Sequence, residues 1–134
     1  MEMDQAMIVA GIGCRRGAAA ADIEAAIRAA LACASVDAAD LKAIATSQAK
    51  DAEAGIATAA STFGVGIMRI SDADLKAAGT RVATRSDRVL ALTGVPSLAE
   101  AAALAAAGPL SRLIASRLVV GAATCALASS DAVQ

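Results

Sequence analysis

Short apolar runs alternate along this chain with longer stretches of helical periodicity. Met7-Ile8-Val9-Ala10 is apolar throughout and ends in Gly11-Ile12-Gly13, the pattern of a buried strand feeding a glycine loop. From Ala18 to Cys33 the apolar positions recur at helical spacing, with Ile23, Ile27 and Leu31 on one stripe. Asp22 and Glu24 stand in the first turns of that helix, where the dipole favours acids. Asp37 is placed to cap a short turn of helix through Asp40, and Leu41 to Thr46 reads as a second strand. Lys50 to Phe63 predicts a second long helix, stopped by Gly64. Gly66 to Ile70 predicts a third strand, and Ser71-Asp72-Ala73-Asp74 caps a short helix ending near Gly79.

The second half follows the same grammar. Ser86 reads as the N-cap of a helix through Leu92, closed by Gly94. In Pro96-Ser97-Leu98-Ala99-Glu100, Ser97 and Glu100 have the spacing of a capping box, and the helix they open runs to Ala107 before Gly108-Pro109. Arg112 to Ser116 and Ala122 to Ala128 read as two strands joined around Gly121, a hairpin. No internal repeat or linker interrupts the series. The expected fold is one α/β domain spanning residues 1–134, a three-layer α/β/α sandwich around a mixed sheet of about five strands.

Composition narrows this. The 134 residues include 40 Ala, which favours helix and close approach but buries little area per residue. The core is therefore expected to rest on Ile, Val and Leu, with Phe63, the only aromatic side chain, inside it. A net charge of −1 and the lack of stacking rings argue against nucleic acid as a partner. With no His, a zinc hydrolase and a Ser-His-Asp triad are excluded, and no metal site or cofactor is expected. The longest uncharged stretch, Ala54 to Met68, has 15 residues, short of the roughly 20 that a spanning helix needs, so no membrane association is expected. The N-terminal Met1-Glu2-Met3-Asp4 is acidic where a secretory signal is basic. Cys14, Cys33 and Cys125 are scattered and odd in number, which suits free thiols in a reducing cytoplasm.

The richest segment for chemistry is Gly11-Ile12-Gly13-Cys14-Arg15-Arg16-Gly17, between the first strand and the first helix. In open α/β sheets, ligands gather where strand ends meet helix N-termini. Amides at such a turn suit an anion, and Arg15 and Arg16 add bidentate donors for carboxylate or phosphate. The plainer alternative is a tight turn with two solvated arginines. The spacing GxGxxxG is neither the dinucleotide fingerprint nor a P-loop, so carboxylate recognition fits it better than a nucleotide. Thr93-Gly94-Val95-Pro96-Ser97 with Glu100 forms a second candidate cluster, although a helix stop, a proline turn and a capping box also account for every residue. Thr46 and Lys50, with Glu53, form a third at the end of a strand and the start of a helix. Cys14 would have a lowered pKa beside two arginines, but no His is present as its base, and no catalytic residue can be named.

Taken in order, these segments resemble the CobE family of cobalamin biosynthesis proteins, itself similar to the C-terminal domain of CbiG, the cobalt-precorrin lactone hydrolase. The resemblance runs from about Ile8 to Ala128. GIGCRRG at Gly11–Gly17 carries it most specifically, followed by Lys50 to Gly55, Phe63-Gly64, Thr93-Gly94-Val95 and Ser97 to Leu104. Two departures stand out. Gln48 occupies a place where the family often has Asp, and Ala115-Ser116-Arg117 stands where a Pro-Lys or Lys-rich stretch is common. The N-terminal half of the two-domain hydrolase has no counterpart. The resemblance implies a corrin or precorrin intermediate as ligand, with other cobalamin-pathway enzymes as further partners. The many acetate and propionate groups of such a ligand would give the arginine pair a use.

Three readings follow. The first is a module that binds or carries a corrin intermediate in the cobalt-independent early route to vitamin B12. The second is a precorrin-modifying hydrolase that opens a lactone as CbiG does. A third is a scaffold subunit without a small ligand. The lack of His and of a counterpart to the hydrolase's N-terminal half favours the first.

Overall fold

The computed structural model describes residues 7–14, 17–48, 54–79, 98–108 and 111–130. These form strands β1 (Ile8–Cys14), β2 (Leu41–Ser47), β3 (Gly66–Ile70), β4 (Arg112–Val120) and β5 (Ala123–Ser129). Among them run helices α1 (Ala20–Cys33), α2 (Ala54–Phe63), α3 (Asp72–Ala78) and α4 (Leu98–Ala107), with a 3-10 turn at Ala38–Asp40. The strands make one mixed sheet in the order β3-β2-β1-β5-β4. β1, β2 and β3 are parallel, and β5 is antiparallel to both β1 and β4. The predicted three-layer α/β/α architecture and the five-stranded mixed sheet are the ones observed. The predicted helix at Ser86–Leu92 and the first residues of the predicted Lys50–Phe63 helix lie outside the described residues.

Strand alternation divides the core into two layers. Ala10, Ile12, Ile44, Cys125 and Leu127 face α1 and α2, meeting Ile23, Ile27, Leu31 and Ile56. Val9, Ala45 and Ala128 face α3 and α4, meeting Leu75, Leu104 and a run of buried alanines that includes Ala101, Ala102 and Ala103. Branched aliphatics thus build one layer as expected, while alanine dominates the other. Small side chains let α4 lie close on the sheet, so dispersion contact replaces area per residue. Phe63 is only half-buried at the rim of the first layer, with the Arg28 guanidinium 5.2 Å from its ring centroid.

Several local signals act as their residue types predict. The Ser71 hydroxyl accepts the Asp74 N–H at 3.2 Å, capping α3. Asp37 occupies the cap position of the 3-10 turn but makes no side-chain cap bond. The hairpin around Gly121 forms, and its first strand extends to Val120 rather than stopping at Ser116. That strand lies at the sheet edge, and two register shifts against β5 and the charges of Arg112 and Arg117 blunt it against pairing with other chains.

Cys33 is exposed and Cys125 is buried, and both are free thiols. Burial pushes the Cys125 thiol up to about 12. An unfolded thiol ionises near pH 8.5, so between roughly pH 8.5 and 12 the unfolded chain sheds a proton that the folded one keeps. Stability from this group is complete below that window and falls as pH rises through it, by up to about 1.4 kcal/mol per pH unit. Denaturant midpoints of wild type and Cys125→Ala, followed from pH 8 to 10.5, should converge by this amount; parallel curves would refute it. Thiol titration should modify Cys33 and spare Cys125 in the native state, and find three free thiols after unfolding without reductant.

Candidate functional site

The carboxyl ends of the parallel strands β1 and β2 lie at one edge of the sheet, and the antiparallel β5 begins beside them, with Cys14 opposite Ala123 and Gly13 opposite Thr124. The described starts of three helices meet there. α1 follows β1 through Gly17, whose φ of 75° is a left-handed turn that glycine takes without strain. Ala19 caps α1 with no side-chain hydrogen bond. α2 comes so near that a Cβ on Gly55 would stand 2.6 Å from the Ala18 carbonyl oxygen and 3.3 Å from the Ala20 nitrogen. α4 approaches from the other face, where a Cβ on Gly13 would lie 3.9 Å from the Ala99 nitrogen. Helix N-termini carry partial positive charge and orphan amides, so an edge where three converge suits an anion.

The structure revises part of the predicted glycine loop. Gly11 and Gly13 are strand residues, and the chain turns only after Cys14. Gly11 pairs with Ala45 on one side and Ala126 on the other. A Cβ there would run into the Ala99 carbonyl oxygen and stand 2.7 Å from the Ala103 nitrogen. Its role is therefore to admit the backbone of α4. Gly13 leaves room for the Thr124 hydroxyl, which a Cβ would approach to 2.8 Å. Gly17 is exposed at the turn.

Thr46 reaches the same edge, but it is fully buried and donates its hydroxyl to the Ile12 carbonyl at 3.0 Å. As placed, it holds the strand ends together rather than presenting itself to solvent. The backbone of Cys14 closes β1. The predicted ligand residues Arg15, Arg16, Lys50, Thr93, Gly94 and Ser97 lie outside the described residues. Among the described residues, no group of three His, Cys, Asp or Glu side chains could hold a metal ion. No described helix is long and apolar enough to cross a membrane.

Two residues that shape this edge, Thr124 and Asp22, were not singled out for it by their sequence context, and Glu100 was named only with the second candidate cluster. Thr124 donates to the Gly13 carbonyl at 2.9 Å, and the one hint was a hydroxyl in the otherwise apolar run from Ala122 to Ala128. Asp22, expected to serve the α1 dipole, also accepts the Ala122 N–H at 3.2 Å and so ties the hairpin turn to α1. Glu100 is buried in α4, and its carboxylate accepts the Arg117 N–H at 2.9 Å. That amide lies in the second register shift of β4, between Ala115 and Leu118, where the ladder to β5 is interrupted. Glu100→Ala should cost about 1–3 kcal/mol by stranding that donor, while Arg117→Ala, which keeps the amide, should cost less. Chemical denaturation of both variants checks this, and equal losses would contradict it.

The cobalamin synthesis G C-terminus family matches residues 8–128. The protein CobE from a Sinorhizobium species is 39% identical over 121 residues, which cover 90% of this chain and 79% of that protein. The solved structure of CobE, a protein from the cobalamin (vitamin B12) biosynthetic pathway, superposes with a TM-score of 0.85 at 32% identity, covering 92% of this chain and 90% of that one. The cobalamin biosynthesis protein ChiG from Agrobacterium tumefaciens is 44% identical with a TM-score of 0.72, covering 91% and 97% of the two chains. The fold and these likenesses agree: the chain belongs to the cobalamin synthesis G C-terminus family, as a cobalamin biosynthesis protein of the CobE type.

Proposed function

We propose that the protein binds and carries a corrin-ring intermediate, of the precorrin or hydrogenobyrinic type, in the cytoplasm. One observation carries the reading: the described starts of α1, α2 and α4 meet at the carboxyl edge of β1 and β2. That edge offers partial positive charge to the carboxylates around the corrin rim. Arg15, Arg16 and Lys50 follow directly from its elements in sequence and would add full charges. With no aromatic side chain other than Phe63, which lies under Arg28, the floor of the site is aliphatic and affinity leans on charge. Other enzymes of the pathway would receive the carried pigment.

The hydrolase alternative has less support, because the chain has no His, the most frequent general base. Incubating pure protein with a panel of corrin acids and recording co-elution, spectrum and mass separates the two. A carrier elutes with pigment of unchanged mass. A product of different mass would establish turnover and overturn the carrier reading.

A further inference from the structure

We propose that Thr46 and Thr124 are positioning residues that clamp the carboxyl end of β1 as one wall of the ligand site; this rests on the corrin-binding reading. The last matched pair between β1 and β2 is Gly11 with Ala45, while β2 stays paired with β3 through Thr46 and Ser47. Ile12 therefore lies beyond the β2 ladder, and the Thr46 hydroxyl donates to its carbonyl at 3.0 Å. On the other flank, the Thr124 hydroxyl donates to the Gly13 carbonyl at 2.9 Å. Two consecutive carbonyls at the point where β1 ends are thus each held by a side chain from a different neighbouring strand.

The two hydroxyls come from opposite faces. Ile44 faces the layer of α1 and α2 and Ala45 the layer of α4, so alternation returns Thr46 to the first layer. Thr124 lies on the α4 side, because a Cβ built on Gly13 points at both its hydroxyl and Leu98. A trans peptide unit is planar, so holding a carbonyl oxygen also orients the N–H of the same unit. The clamped units are those whose N–H groups belong to Gly13 and Cys14. Their orientation sets the direction in which the chain leaves the sheet toward Gly17 and the start of α1. Packing alone would be served by valine, which has the same branched outline and a high strand preference. A hydroxyl on both flanks is what the clamp requires.

The test uses the full chain with Thr46→Val, Thr124→Val and the conservative Thr46→Ser and Thr124→Ser. Hydrogenobyrinic acid is the probe, titrated by absorbance, alongside amide hydrogen exchange at Gly13 and Cys14 and the thermal midpoint. Each valine variant should weaken binding about tenfold, the equivalent of one lost hydrogen bond, and raise exchange at Gly13 and Cys14 by a similar factor. Exchange in β4 should stay as in wild type, and serine should restore both readouts. Unchanged affinity in the valine variants, or a loss that tracks a uniform rise in exchange across the sheet, would overturn the clamp alone. A wild type that fails to bind would overturn the corrin reading and the clamp with it.

Discussion

Gly11→Ala is expected to cost about 3 kcal/mol, the upper end of the range for overpacking. The reason is the identity of what the new methyl group meets. It would press on the Ala99 carbonyl oxygen and the Ala103 nitrogen, which are backbone atoms of α4 and cannot rotate away. The helix would have to lift off the sheet, loosening Ala101, Ala102, Ala103 and Leu104 in the second core layer. For a chain of this length the thermal midpoint should fall by roughly 10 °C. Gly66→Ala is the control, because a Cβ there meets nothing within 4 Å and needs no left-handed backbone. Equal midpoints for the two variants would show that α4 is not held at this distance.

The second large effect concerns the ligand. Arg15→Ala and Arg16→Ala together should remove two charge-assisted contacts, each worth about 1.5–3 kcal/mol. Their joint loss corresponds to a weakening of roughly a hundredfold to ten-thousandfold for a corrin polycarboxylate. The effect should shrink at high salt, because guanidinium–carboxylate attraction at a solvent-facing rim is screened. The wild type is expected to leave a sizing column with pigment, and the double variant without it. Retention of pigment by both would move the site away from the Gly11–Gly17 segment. The thermal midpoint of the double variant is expected to change little, which separates this outcome from that of Gly11→Ala.

Much of the fold was legible in the sequence because its signals are local. Ile23, Ile27 and Leu31 recur at the helical period and are buried together in α1. Ser71 stands three residues before Asp74, and the cap bond forms. The mostly apolar segments Leu41–Ser47, Gly66–Ile70 and Ala123–Ser129 became strands because they are short and lie between turn signals.

What only the tertiary structure decided is the meaning of residues whose partners are distant in sequence. Gly11 and Gly13 looked like loop glycines because glycine locally signals freedom of φ, yet both serve close approach within a strand. The helix that demands Gly11 begins at Leu98, and no pattern near residue 11 encodes it. Glu100 has the spacing of a capping partner, yet nothing near it in sequence announces that its buried carboxylate also accepts the amide of Arg117 in an interrupted ladder. Thr46 and Thr124 come from elements far apart in the chain, and only sheet order sets them on either side of β1. Periodicity and capping are properties of a few neighbouring residues, so a sequence displays them directly. A close contact or a captured carbonyl belongs to pairs joined by the fold, and its cause appears only once the strands are in register.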